Sequence, residues 1–453
     1  AVAAAVDLCL AATLQDLPED EERRSHHFGG GSSPFEWDRL SLDEGGAQFF
    51  PPSPAREPFK TFFQKAPDEA LRLVRGLCNH GMEAWRQLNR RHREFGRTPR
   101  PMLVEFPWGD QTFWGNARVY GFYRGLFGPG ILDSALMALE EWAFSELNRG
   151  RSGDEVIRAV VGNNECCAVL GIALGVALQA NAATSVSLAL LASAHLWRWD
   201  VERGKADLVR PTQNEDAFEV SSESRQMHEA LAKANRLPVR QQDIRTLAMI
   251  FLWGQDGELK EAAKAAILKF SEALPFECEE EVQSKEAAAY LSKEAASWAA
   301  FADLSHYRLH RTDDPGKVAI GFEHPEDNQP ETIARVSAAQ ESLSWFGLAH
   351  WSEMLLSGAS PPQNIALNDA IAKVRGEDAD ALFSSEQDDP LTTAKQAAVV
   401  GVAALTVKQS DSVPPEDIEW AKILLQKGAE APRRLDEMTL PSSILLFHPA
   451  KAA

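Results

Sequence analysis

Apolar positions recur at intervals of three and four residues over most of this chain, and that spacing predicts amphipathic helices. The clearest case follows Asp68: Ala70, Leu71, Leu73, Val74, Leu77, Met82, Trp85 and Leu88 form one stripe. The basic turn Arg90-Arg91-His92-Arg93 suits a helix C-terminus, and Gly96 is the candidate stop. The same periodicity predicts helices near 132–148, 153–163, 165–178, 184–200, 222–235, 241–253, 257–273, 280–307, 331–356, 364–375, 391–408 and 415–428. The pattern changes to period two at Met102-Leu103-Val104-Glu105-Phe106 and Thr112-Phe113-Trp114. With Trp108-Gly109-Asp110 between them, these runs predict a β-hairpin. Further strand signals are confined to Val318-Ala319-Ile320 and Ser443-Ile444-Leu445-Leu446.

Helices of this length joined by short connections predict an all-α protein, an irregular α-solenoid of HEAT-like helical hairpins with one small β-hairpin near 102–115. No repeat of 33, 34 or about 40 residues recurs, and a closed α/α toroid is the alternative arrangement. Along the chain, 1–16 predicts a helix continuing from an upstream region. Residues 17–57, rich in Gly, Pro and Ser but carrying Phe35, Trp37, Phe49 and Phe50, predict a linker or wrapping loop. Two helical subdomains follow, 58–200 with the hairpin and 201–453, the second expected to continue past the C-terminus.

Composition narrows the class. With 66 acidic against 46 basic residues in 453 and a net charge of −20, broad binding to nucleic acid or anionic membrane is disfavoured. Five cysteines without finger or framework spacing point to a reducing, cytoplasmic setting and to no metal site. The apolar run Ala168–Leu178 is too short for a span of about 20 residues, so a buried core helix is expected and no membrane partner. Gly171 and Gly175 in it would let a neighbour approach closely.

Candidate chemistry gathers just after the hairpin. Trp114, Asn116, Arg118 and Arg124 mix an aromatic, an amide and two guanidiniums that suit a phosphate or carboxylate. The same arginines are equally suited to pair with Glu140 and Glu141 on the next long helix. Adjacent glutamates on a helix diverge by about 100°, so one facing solvent and one an arginine is expected rather than a catalytic pair. His306 and His310, four apart, are expected on one face of a helix end, without the glutamate of a metalloprotease helix. Cys166 and Cys167 open a very apolar helix, where inert thiols are expected. The paired tryptophans 197 and 199, 345 and 351, and 253 and 298 suit core packing. No phosphate loop and no nucleophile elbow occur.

The run from Pro58-Phe59 through Leu73-Val74 and Cys78-Asn79-His80, then Trp114-Gly115-Asn116-Ala117-Arg118-Val119-Tyr120 and Ala135-Leu136-Met137-Ala138-Leu139-Glu140-Glu141-Trp142, resembles the helical region of very large bacterial ATP-binding, STAND-like proteins. In those proteins a nucleotide-triphosphatase module precedes a long helical array, and several are associated with anti-phage defence. The resemblance covers roughly 58–200 and implies a sensor, scaffold or oligomerisation segment with no catalytic residue and no cofactor of its own.

The sequence therefore leads to a non-catalytic helical scaffold or sensor that binds protein or self-assembles. One alternative is an α/α-toroid enzyme with an acidic cleft built from Asp133, Glu140, Glu141 and Trp142. Another is a nucleic-acid-binding helical repeat using the basic stretch 86–100, with Arg90, Arg91, Arg93 and Arg97 as contacts beside Arg86 and Arg100.

Overall fold

The computed structural model describes residues 2–17, 39–43, 49, 51–91, 97–125, 128–209, 222–311, 318–325, 329–358, 360–361, 365–384 and 390–430. The expected strand at 443–446 and the residues Arg93, Phe35 and Trp37 lie outside them. The fold is all-α with small β-hairpins. In chain order, α1 is Val2–Thr13, α2 Phe59–Lys65 and α3 Pro67–Arg91. The hairpin β1 (Met102–Phe106) and β2 (Gly109–Phe113) comes next, then α4 (Ala117–Tyr120), α5 (Gly130–Asn148), α6 (Gly153–Val161), α7 (Ala168–Ala180), α8 (Ser185–Leu191), α9 (Ala194–Val209), α10 (Ser222–Asn235), α11 (Ile244–Leu252) and α12 (Gly257–Leu268). Helices α13 (Glu279–Gln283) and α14 (Lys285–Ala299) lead to a second hairpin, β3 (Tyr307–Arg311) and β4 (Val318–Phe322). The last helices are α15 (Pro330–Ser357), α16 (Leu367–Arg375), α17 (Ala379–Ser384), α18 (Pro390–Lys408) and α19 (Pro415–Glu430).

Two compact units divide at 324/325. The boundary expected near 200 falls inside α9, whose residues pack on both sides of it within the first unit, so the division at that point is corrected. In the first unit α7 is the centre. Ten of its 13 residues are buried, from Ala168 to Leu178, because helices α5, α6, α8, α9 and α11 all pack on it. At 1.5 Å per residue it is about 20 Å long, short of a bilayer core. No described helix is long and apolar enough to cross a membrane. The glycines of α7 admit side chains rather than a helix backbone. A Cβ on Gly171 would lie 2.4 Å from the ring of Tyr123, and one on Gly175 3.2 Å from Phe144.

The first hairpin follows the alternation that predicted it. Met102, Val104 and Phe106 are buried while Leu103 and Glu105 face out, and the register runs Met102↔Phe113 to Phe106↔Gly109. Two helix expectations are corrected. The helix expected over 184–200 breaks at Ala192-Ser193, where the indole N–H of Trp197 donates to the Leu191 carbonyl (2.9 Å) and so satisfies the end of α8. The helix expected over 280–307 stops at Ala299. Tyr307–Arg311 instead pairs with the strand signalled by Val318-Ala319-Ile320, Tyr307↔Phe322 to Arg311↔Val318. His306 and His310 therefore share no helix face: the first closes a 3-10 turn and the second lies in β3. Phe322, stacked on Phe301 at 4.0 Å, ties this hairpin to the core.

The second unit packs α15, α16, α17 and α19 around α18, whose Ala394, Ala398, Val400, Val402, Ala403 and Leu405 are fully buried. Trp345 is sheltered there under the ammonium groups of Lys373 and Lys395. Of the paired tryptophans, 197, 199, 298, 345 and 351 are buried as expected, but Trp253 is 41% exposed beside Tyr307.

Candidate functional site

The stretch after the first hairpin folds tightly because its polar residues cap it. Asn116 Oδ1 accepts from the Val119 N–H (3.1 Å), starting α4, and a 3-10 turn, Gly121–Arg124, continues it. Gly125, at φ 74°, ends the turn in the left-handed region that suits glycine. This places Tyr120, Tyr123 and Arg124 against α5, α7 and α9.

A fully interior ionic cluster results, with three guanidiniums (Arg124, Arg203, Arg240) and three carboxylates (Glu140, Asp200, Asp207), none more than 9% exposed. Asp200, Arg203 and Asp207 recur three and four apart, so α9 holds them in one stripe. Glu140 comes from α5 and Arg240 from a 3-10 turn, Pro238–Gln241. Arg124 reaches Glu140 Oε1 at 2.9 Å and Asp207 Oδ2 at 3.2 Å, while Arg240 binds Glu140 Oε2 and donates to Asn235 at 2.6 Å.

The centre of the cluster is saturated. Arg203 donates Nε and Nη2 to the two oxygens of Asp200 (2.8 and 3.0 Å) and Nη1 to Asp207 (2.8 Å). Its remaining hydrogens go to the carbonyls of Arg240 (3.2 Å) and Gln242 (2.6 Å). All five guanidinium donors are used. Asp200 accepts two further bonds, from the Tyr120 hydroxyl and the Ile244 N–H, both at 2.8 Å, so its lone pairs are filled as well. Burial and the facing Asp200 charge push the Tyr120 hydroxyl well above the ordinary phenol range. Burial opposes the Arg203 cation, yet Asp200 beside it holds its pKa above the usual arginine value. Burial lowers that of Arg240, whose Nε has no hydrogen-bond partner. An aspartate with every lone pair occupied cannot serve as a base or a metal ligand without the cluster opening. No metal-binding group of His, Cys, Asp and Glu forms among the described residues.

The residues singled out from the sequence are separated by this arrangement. Arg124 and Glu140 meet, as one of the two readings of these residues required. Glu141 and Arg118 lie on the exposed surface. Asn116 is spent on the α4 cap. Trp114 is half-buried beneath the Arg86 guanidinium (4.5 Å to the ring centre), and its backbone bridges Glu165 and Cys167 (2.6 and 2.9 Å). Of the toroid reading's residues, Glu140 is held in the ionic cluster and Glu141 faces out, while Trp142 stacks on Phe63 at 5.6 Å. A cavity of about 260 Å³ lies elsewhere, between α1, α2 and α3. Its lining is mostly apolar, with Asp43 as the single carboxylate.

The basic stretch is met by an acidic strap. Thr98 and Arg100 run antiparallel to 277–279, with Arg100 N–H to the Glu277 carbonyl (2.9 Å) and Glu279 N–H to that of Thr98 (3.0 Å). Each strap glutamate is engaged: Glu277 by the Trp199 indole, Glu279 by Arg100 (3.0 Å), Glu280 by Thr98 (2.9 Å) and Glu281 by Arg198 (3.1 Å). Arg86 pairs with Glu83 and approaches Glu165 at 3.5 Å. Arg90 and Arg97 are exposed; the side chain of Arg91, like Arg93, lies outside the described residues. His195 Nε2 donates to the Phe276 carbonyl (3.2 Å), fixing its tautomer, and burial pushes this imidazole down to about 4.

Sequence reasoning missed Asp200, Arg203, Asp207 and Arg240. The signal was present for the first three, a charged triplet at helical spacing beside Trp197 and Trp199. A charged stripe inside an apolar helix must be paired to be buried. For Arg240 there was none, since its partner lies 100 residues earlier in the chain. No family model matches the chain, and no curated protein matches it.

Proposed function

We propose that this chain is a non-catalytic helical scaffold or sensor segment of a larger protein, acting through protein–protein contact or self-assembly. The observation that supports it is the closed state of the ionic cluster. Arg203 and Asp200 spend every donor and acceptor on their neighbours and the backbone, and the cluster joins α5, α9 and the two 3-10 turns, so it acts as a staple between elements. The resemblance to large bacterial ATP-binding proteins extends the proposal to a cytoplasmic setting in antiviral defence, where such a segment would carry a signal to or from a nucleotide-dependent module.

The test is the mass of the protein by size-exclusion chromatography with light scattering, across concentration and with and without ATP for the full-length parent. A concentration- or nucleotide-dependent rise in mass supports the reading, and replacing exposed Arg118 or Glu141 should alter it. Turnover by the purified chain that disappears in a folded Glu140→Gln variant would overturn it.

A further inference from the structure

We propose that α15 pairs in parallel with the same helix of a second copy of this chain, through a seam of Ile333, Val336, Gln340 and Leu343. The proposal rests on the self-assembly reading above and names the surface that serves it. Helix α15 spans Pro330–Ser357, and its second half is the anchored part. There Trp345, Leu348, Ala349 and Ser352, spaced three and four apart, bury one face in the core around α18. In the first half the described side chains from Ile333 to Glu341 are all exposed. Ile333, Val336 and Leu343 are 54%, 47% and 69% exposed, which leaves a stripe of large apolar groups in water.

The spacing identifies the occupant. Ile333, Val336, Gln340 and Leu343 recur at three, four and three residues, the a and d positions of two heptads. At about 100° per residue they lie on the side of α15 away from Trp345 and Leu348, so a second helix can reach them without disturbing the core. Isoleucine at a with leucine at d favours two parallel strands, and a single polar residue at an a position sets their register. Gln340 is that residue. In a parallel pair it meets the Gln340 of the second copy, and each amide can donate to the other's carbonyl, whereas an apolar groove would leave it unpaired. The flanking Ser337, Ala339 and Ser344 are small and uncharged, so two chains of net charge −20 can meet here without like charges across the seam. Glu341, on the same turn, is held by Lys395 at 3.2 Å. Two heptads are short for a free coiled coil, but the anchored half of α15 already holds the helix in shape. Little ordering is left to oppose the pairing.

The experiment follows the full chain by sedimentation velocity over a range of concentrations. A reversible doubling of mass is expected. Leu343→Glu sets two carboxylates against each other in the seam and should weaken the dimer at least about tenfold. Leu268→Glu, at a site 57% exposed on α12, should leave it unchanged. Gln340→Ile exchanges the polar layer for an apolar one and should tighten the dimer. Alignment is read by mild oxidation and a non-reducing gel. Val336→Cys should cross-link to its own copy, while wild type and Ala338→Cys, which points away from the seam, should not. A cross-link that needs cysteine at both 336 and 340 would overturn the parallel pairing. A chain that stays monomeric at every concentration, with Val336→Cys shielded from a thiol reagent, would overturn the proposal and place a segment of this chain on the stripe. Assembly unaffected by Leu343→Glu would overturn this seam and leave the self-assembly reading standing, whereas turnover lost in Glu140→Gln removes that reading and leaves the seam.

Discussion

Replacing Arg203 with methionine tests whether the ionic cluster is a staple. The change keeps much of the side-chain volume but removes five hydrogen bonds. It leaves Asp200, which has no exposed surface, with only the Tyr120 hydroxyl and the Ile244 N–H. Removing one partner of a buried pair strands the other charge and costs about 3–5 kcal/mol. Unfolding entropy of about 2.1 cal/mol/K per residue, over a first unit ending at His324, gives about 0.7 kcal/mol/K. The melting temperature of that unit should fall by about 4–7 °C. Scanning calorimetry is the suitable assay, because two separate cores are expected to melt as two transitions and only the first should move. Adding Asp200→Asn removes the stranded charge and restores the balance of Arg124 and Arg240 against Glu140 and Asp207, so the double variant should regain at least half of the loss. A shift below 1 °C in Arg203→Met, or a double variant no more stable than the single one, would refute the reasoning.

Gly171→Ala would improve helix propensity by about 1 kcal/mol, but its Cβ would meet the buried Tyr123 ring at 2.4 Å. Overpacking of about 1–3 kcal/mol should prevail, and a variant melting at or above the wild-type temperature would contradict that. His195 is held well below its usual value, so the folded state resists its protonation. Its contribution is complete above about pH 6.5 and is lost as pH falls toward 4, at most about 2 kcal/mol at pH 5. His195→Gln, which keeps a donor for Phe276, should flatten the stability profile between pH 6.5 and 4 in denaturant titrations. Trp197→Ala should cost about 3–5 kcal/mol, while Trp253→Ala, at a site 41% exposed, should cost under about 1 kcal/mol by the same measurement.

Much of the secondary structure was legible because it is local. The stripe from Ala70 to Leu88, the alternation of Met102 to Phe106 and the apolar run 168–178 each state their own period, and α3, β1 and α7 follow. Where local preference met a nonlocal partner, the sequence misled. Ala-rich residues after 299 continue a helical pattern, yet Phe322 offers Tyr307 and Phe301 a ring to pack on and the chain turns into a strand. Ala192 and Ser193 form no sequence break, but the Trp197 indole captures the Leu191 carbonyl.

The candidate site divides the same way. Helical geometry alone separated Glu140 from Glu141 and allowed Arg124 to reach the former. That Glu140 is shared by a second arginine, that Asp200 and Arg203 exhaust each other's hydrogen bonds, and that the strap glutamates cover the edge of the basic stretch were decided only by the tertiary fold. Periodicity is written into neighbouring residues, whereas the pairing of a buried charge depends on which distant segment must neutralise it once water is excluded.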